Sequence, residues 1–494
     1  MKKVIVIGGG LGGLECGYIL AKNGYEVTVL EHDAHIGGCL QTFKRGAVTF
    51  DTGFHYVGGL GEGQSLHGLF KYFDLLDLPW RQMDTDCFDE VVIGNRSFPF
   101  ANGHAHFVER LSEYFPKERR NLQKYADFLR QVGNHLPDSF APRDSNDFYS
   151  TSLFARSAYA FLNETISDPL LRKVLSGTSL KMELNADTLP LYIFAQINNS
   201  FIESAWRLCG GGSLIADRLA ERIKAFGGTV RTHSTVTRLV ETDGKITHVV
   251  VNGGETLAAD WVVSSAHPAV TLALIGESAH LRKIYRNRIA GLANSFGMFT
   301  ANIRLKPEAI PCLNRNIFVH RNDADLWRVD TQRTESVLVN YSAPENGSCY
   351  ASHVDLLTPM RWSEVERWAE LPKGHRGDSY VQFKNAKVEE CLHLVEKRLP
   401  DLRDAIDRVF TSTPLSYHSY TFTSEGSAYG IRKDYNNPMG TVLTPRTPIE
   451  NLLLTGQNLN LHGILGVSMT SVFTCAEILG METLVEQLDV KHWK

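Results

Sequence analysis

The sequence predicts an α/β fold. A nucleotide-binding domain is assembled from separated stretches of chain, and a mixed α+β domain faces the substrate. Three observations predict it. The chain opens on a strand, a glycine-rich turn, a helix and a second strand. Near its middle lie three short strands joined by tight turns. It closes on a short apolar strand, a glycine-bearing loop and an apolar helix.

The opening unit is the most informative. Val4, Ile5, Val6 and Ile7 run into Gly8, Gly10 and Gly13, and a second apolar strand (Val27, Val29, Leu30) ends at Glu31. A strand before GxGxxG, a helix after it and an acid roughly 20 residues on is the Rossmann fingerprint for the ADP half of a dinucleotide. Gly8 permits the tight turn, Gly10 admits the pyrophosphate, and Gly13 lets helix and strand pack closely. Leu11 and Gly12 lie in the same turn, where helix N–H groups face phosphate. Glu31, with His32 beside it, is placed to accept from a ribose diol.

Next come Gly37-Gly38-Cys39 and Phe50-Asp51-Thr52-Gly53-Phe54-His55-Tyr56. Paired glycines here indicate backbone passing close to a flat or charged group. From about 107 to 201 the apolar spacing is helical. Within it, 147–175 is aromatic enough to line an apolar tunnel or touch a membrane surface, or simply to fill a core. A helix over Leu214–Phe226 stops at Gly227-Gly228. Strands at 236–241, 246–251 and 256–258 are separated by Asp243-Gly244 and Asn252-Gly253-Gly254, which are hairpin turns. Trp261–Ser265 returns to the parallel sheet. The chain ends on Leu452–Leu454, Gly456-Gln457-Asn458, Gly466 and a helix over Val467–Leu479. The expected division is 1–100, 205–275 and 422–494 for the nucleotide domain, and 101–204 with 276–421 for the substrate domain.

Composition narrows the function. With 494 residues, a net charge of −4 and no long basic run, nucleic acid is not an expected partner. Eight scattered cysteines without a CxxC pair read as reduced thiols of a cytoplasmic protein. The first strand starts so early that Met1-Lys2-Lys3 reads as a basic lead-in, not a signal peptide. No apolar run approaches the ~20 residues needed to span a bilayer. A soluble protein, or one peripheral to a membrane, is expected. His104 and His106 stand two apart without further ligands and read as a surface loop, so no metal is expected.

With both ends in view, the chain resembles phytoene desaturase-type flavoproteins, above all the retinol saturase and carotenoid cis–trans isomerase branch. The resemblance rests on Gly37-Gly38-Cys39 with Thr42-Phe43, the stretch Phe50 to Gly58, Gly211-Gly212-Ser213, Gly426 to Gly430, and Asn451-Leu452 through Thr455-Gly456-Gln457. It implies FAD, held by the glycines, Glu31 and His32, by Cys39, by the backbone at Val236, and by Gly456, Gln457, Asn458 and Gly466. It also implies a hydrophobic polyene or isoprenoid substrate. Cys39 stands where amine oxidases of the wider group place Arg, and Asn458 stands where the saturases place an acid. His55, Tyr56, Tyr429 and His462 are the candidate proton donors. The expected reaction is reduction of a C=C bond. Desaturation, flavin-dependent isomerisation, and a flavin-free prenyl carrier of the Rab GDP-dissociation inhibitor type are the alternatives. No second strand–GxGxxG–helix unit appears, so no dedicated NAD(P)H domain is expected. The electron donor and oligomeric state are unassigned.

Overall fold

The computed structural model describes residues 2–140, 148–342 and 348–490. Its central sheet is five-stranded and parallel. The order is Thr229–Arg231, Glu26–Leu30, Lys3–Ile7, Trp261–Ser264, Leu452–Leu454. Stretches more than two hundred residues apart thus meet edge to edge, because each supplies one short apolar strand that can be covered on both faces. The opening helix, Leu11–Lys22, lies against the closing helix, Gly463–Leu479, and against Ser213–Ala225. Leu14, Ile19, Ile215, Ile223 and Val472 fill that layer. Gly12 sits where a Cβ would come within 3.1 Å of Gly456 Cα, so the two ends of the chain touch backbone to backbone. The meander forms as expected, over Val236–Thr242, Lys245–Val251 and Glu255–Ala258.

A seven-stranded sheet forms the second body. Its order is Ile406–Ser412, Gly297–Leu305, His353–Met360, Ser336–Tyr341, Asn316–His320, Asp89–Ile93, Arg96–Phe100. Helix Gly377–Val395 covers one face through Val388, Cys391 and Val395. Strands Asp89–Ile93 and Arg96–Phe100 correct the expected boundary at residue 100. They form a hairpin whose first strand pairs in parallel with Asn316–His320, so they belong to this sheet. A local hairpin signal fixes that strands exist but not which sheet they join. One other expectation changes, and one open alternative is narrowed. His104 and His106 lie on helix His104–Ser112, where His104 Nε2 is 2.8 Å from Asn199 Oδ1 and His106 faces Asp86. Among the described residues of 147–175, Phe154, Phe161 and Leu171 pack inside the helical core. Phe148 and Tyr149 fall outside the described side chains.

Glu15 is wholly buried between the opening and closing helices. It accepts from Ser468 Oγ (2.5 Å) and Ser471 Oγ (3.0 Å). Burial pushes its carboxyl from 4.5 up to about 8, against the pull of those two hydroxyls. A folded value above the unfolded one means stability that is complete below pH 4.5 and lost as pH rises through about 8. The expected loss across that window is roughly 3–5 kcal/mol. Glu15→Gln should flatten the melting temperature measured from pH 5 to 8. Parallel wild-type and variant curves would show that Glu15 carries no such proton.

Candidate functional site

One cavity of about 620 Å³ is walled by the opening turn, the closing loop, the segment around Phe54 and the seven-stranded sheet. Gly8, Gly10, Leu11, Gly12, Glu31, His32, Gly37, Gly38, Cys39, Val236, Gly456, Gln457 and Asn458 all line it. So do His55, Tyr56, Tyr429 and His462. Two residues of the sequence-derived set do not. A Cβ on Gly13 would lie 2.0 Å from Gly8 O, and one on Gly466 would lie 2.3 Å from Leu461 O. These two glycines permit close packing behind the wall.

The glycines divide by what surrounds them. Gly8 is left-handed (φ +94°), its N–H donates to Leu30 O at 2.8 Å, and a Cβ would come within 2.5 Å of Ser265 Oγ. Gly10 is different: a Cβ there meets nothing within 4 Å, and the same holds for Gly463. Gly10 and Gly463 sit at the starts of the opening and closing helices, and neither start carries a side-chain cap. Two sets of unspent helix N–H donors therefore border one cavity, an arrangement that suits bound anionic oxygens. Each oxygen of Glu31 accepts one backbone N–H, one from the opening turn and one from its own loop. Oε2 accepts from Gly9 N (2.7 Å), while Oε1 accepts from Asp33 N (2.8 Å) and lies 2.8 Å from His32 Nδ1. The His32 ring in turn lies against Phe422, centroids 4.1 Å apart. Glu31 thus braces the turn as well as facing the cavity. These residues fit the diphosphate and ribose of FAD.

The other end of the cavity is apolar. Leu180, Ile197, Phe201, Met298, Leu338 and Leu357 form its wall, and none of the described residues of the aromatic 147–175 segment lines it. That segment's spacing is a core pattern, not a tunnel. Cys39 borders the cavity, and burial pushes its thiol up to about 11, so it stays protonated.

The four candidate donors are differently placed. Tyr429 OH donates to Leu180 O at 2.6 Å, and its ring lies 4.6 Å from that of His462. His462 Nε2 is 3.2 Å from Lys181 O, and burial lowers its pKa to about 4. Tyr56 OH donates to Asp89 Oδ2 at 2.9 Å, and burial raises that phenol well above its ordinary value. His55 Nδ1 is buried with no hydrogen-bond partner among the described residues.

Sequence reasoning missed the groups behind them. Lys181 lines the cavity with its Nζ 2.6 Å from Asp89 Oδ2. Asn316 Nδ2 donates to Asp89 Oδ1 at 3.1 Å, and Arg207 Nη2 donates to Asn316 Oδ1 at 2.6 Å. Register explains the cluster. Asn302 pairs with Asp355, Asp355 with Asn340, and Asn316 with Asp89, so one polar row crosses five strands. Lys433 is a second missed cation; its Nζ donates to Asn458 O at 2.7 Å, and burial lowers it to about 7.

The chain is similar to known proteins over nearly its whole length. Residues 11–479 match the family described as flavin containing amine oxidoreductase. All-trans-retinol 13,14-reductase of Homo sapiens is 28% identical over 96% of this chain and 85% of its own length. Prolycopene isomerase 1, chloroplastic, of an Oncidium hybrid cultivar is 23% identical over 98% and 85%. Among solved structures, wild-type putrescine oxidase bound to putrescine superposes with TM-score 0.65 at 14% identity, covering 97% of this chain and 99% of that one. That likeness shows the fold.

Proposed function

We infer the reaction from one premise: this chain belongs to the flavin containing amine oxidoreductase family and is an FAD-dependent oxidoreductase. We propose that it reduces a C=C bond in an elongated apolar polyene or isoprenoid. One observation carries the reading. A single cavity changes from glycines and uncapped helix starts at one end to Leu180, Ile197, Phe201, Met298, Leu338 and Leu357 at the other. The first end suits a dinucleotide; the second suits a hydrocarbon chain. Near-full-length similarity to retinol reductases supports the same substrate class.

FAD, when bound and reduced, supplies the two electrons and one hydrogen that such a reduction consumes. The chain's own residues do the rest. Gly10, Leu11 and Gly12 would hold the diphosphate, and Glu31 the ribose. Val236 would meet adenine, Gly37 and Gly38 would lie along the linker, and the start of helix Gly463–Leu479 would face the ring system. The apolar wall excludes water and aligns the chain. His55 would hold the proton for the second carbon on its ring, while Tyr429 and His462 keep the 180–181 segment in place. Residues 1–82, 205–275 and 422–494 form our proposed nucleotide unit, the first block now ending before the hairpin at 89–100. No helix among the described residues is long and apolar enough to cross a membrane. Contact with a membrane surface would suit such a substrate. Neither an electron donor nor an oligomeric state is assigned.

Anaerobic incubation of photoreduced holoenzyme with conjugated polyenes tests the reading by absorbance and mass. Shortened conjugation with a gain of two hydrogens is the expected result. A loss of two hydrogens from the oxidised enzyme's substrate would make it a desaturase. A new isomer of unchanged mass would make it an isomerase. No change in any polyene would end the proposal.

A further inference from the structure

The apolar end of the cavity holds one charge that the reaction does not use. Lys181 is buried, with 5% of its side chain exposed, yet it lines the cavity. Its ammonium has three N–H groups, and Asp89 is its one acceptor among the described residues. Aromatic rings lie close by: Phe201 at 4.1 Å from ring centroid to Nζ, Tyr56 and Phe88 at 5.4 Å, and Phe318 at 5.7 Å. Such a cage holds a cation in place but gives it no oxygen.

The hydrogen-bonding capacity of these cations is not met among the described residues. Lys181 and Arg207 are both buried beside a single carboxylate, Asp89, which also accepts from Tyr56 and Asn316. Among the described residues, Arg207 donates to neutral oxygens, those of Asn316 and Leu313, and its Nε has no partner. The other carboxylate of the polar row, Asp355, is held by Asn302 and Asn340. A buried ammonium with unmet N–H donors next to an apolar slot is costly unless something with an acceptor oxygen completes it.

Building on the proposed polyene substrate, we propose that Lys181 anchors an oxygen-bearing end group of that substrate. The cavity then selects an apolar chain ending in a hydroxyl or carboxylate over the plain hydrocarbon. The rings that cage Lys181 would cover the first carbons behind that oxygen. Tyr56 holds Asp89, which holds the ammonium, so Tyr56 acts here as a positioning residue.

The test measures binding to the FAD-loaded enzyme by tryptophan quenching. Three polyenes of equal length are compared, ending in methyl, hydroxyl or carboxylate. Wild-type enzyme is expected to bind one or both oxygenated forms at least tenfold more tightly than the methyl form. The hydroxyl and carboxylate arms show which oxygen is recognised. Lys181→Met combined with Asp89→Asn removes both charges together, leaving no lone buried ion. It should erase the preference while keeping the flavin spectrum and the affinity for the methyl-ended chain. Equal wild-type affinity for all three, or a preference that survives in the double variant, overturns the proposal and leaves C=C reduction standing. Failure of all three to bind overturns both. If the double variant does not fold, Lys181→Arg decides, since it keeps the ion pair but moves the donors. A change of at least threefold in the ratio of oxygenated to methyl-ended affinity upholds the anchor, and an unchanged ratio removes it.

Discussion

Gly10→Val is expected to give a folded protein that no longer binds FAD. The backbone at Gly10 is extended (φ −74°, ψ 176°), a region open to valine, and a Cβ there meets no protein atom within 4 Å. The added methyl groups therefore enter the cavity and not the core. They would occupy the space at the uncapped helix start that the diphosphate requires. Affinity for FAD should fall at least a hundredfold, about 2.7 kcal/mol. Gly13→Ala is the contrasting case. Its Cβ would lie 2.0 Å from Gly8 O, a backbone atom that cannot rotate aside. That variant should lose several kcal/mol of stability and fail to accumulate as folded protein. Flavin absorbance of the purified protein, titration with FAD and thermal melting separate the two. A yellow Gly10→Val protein with wild-type affinity would show that the cradle lies elsewhere.

The opening turn was legible because backbone geometry forces glycine there, and glycine spacing survives in one dimension. The meander was legible for the same reason: Asp243-Gly244 and Asn252-Gly253 announce turns whose flanking strands have nowhere else to go. The closing helix was only half legible. It ends at Leu479 as read, but begins at Gly463 and not Val467, since glycines near a helix start look like loop and an apolar helix buried on most sides has little periodicity to mark where it begins. Lys181 and Asp89 were invisible. Asp89 sits in a strand buried along its whole length, and the partner that explains it, Asn316, is 227 residues away. Only strand register shows that Asn302, Asp355, Asn340, Asn316 and Asp89 form one band. The aromatic stretch at 147–175 left its alternatives open for a related reason. Composition shows that rings cluster, but not whether they face a void or one another.

His55→Gln should lower turnover by roughly 10²–10⁴ while leaving FAD and polyene binding in place. The argument is one of elimination by geometry. A proton donor must offer its proton to the substrate, and three of the four cavity-lining candidates are committed to protein oxygens. Tyr56 is spent on Asp89, Tyr429 on Leu180 O and His462 on Lys181 O. His55 also lines the cavity, and no hydrogen bond ties its Nδ1 among the described residues, so its ring is the one of the four not shown committed to a protein oxygen. Its electrostatics also set the sign of the pH dependence. Burial, the largest effect, holds the imidazolium below its ordinary 6.5. Asp355 opposes that shift, and Arg207 and His353 add to it. A general acid works in its protonated form, so turnover should fall as pH rises through a value under 6.5. The glutamine variant should lose that limb along with most of its rate. Tyr429→Phe removes only a tether to Leu180 O and should cost far less. If instead Tyr429→Phe proves the more damaging change, or if His55→Gln keeps both the wild-type rate and its pH profile, the proton comes from another group.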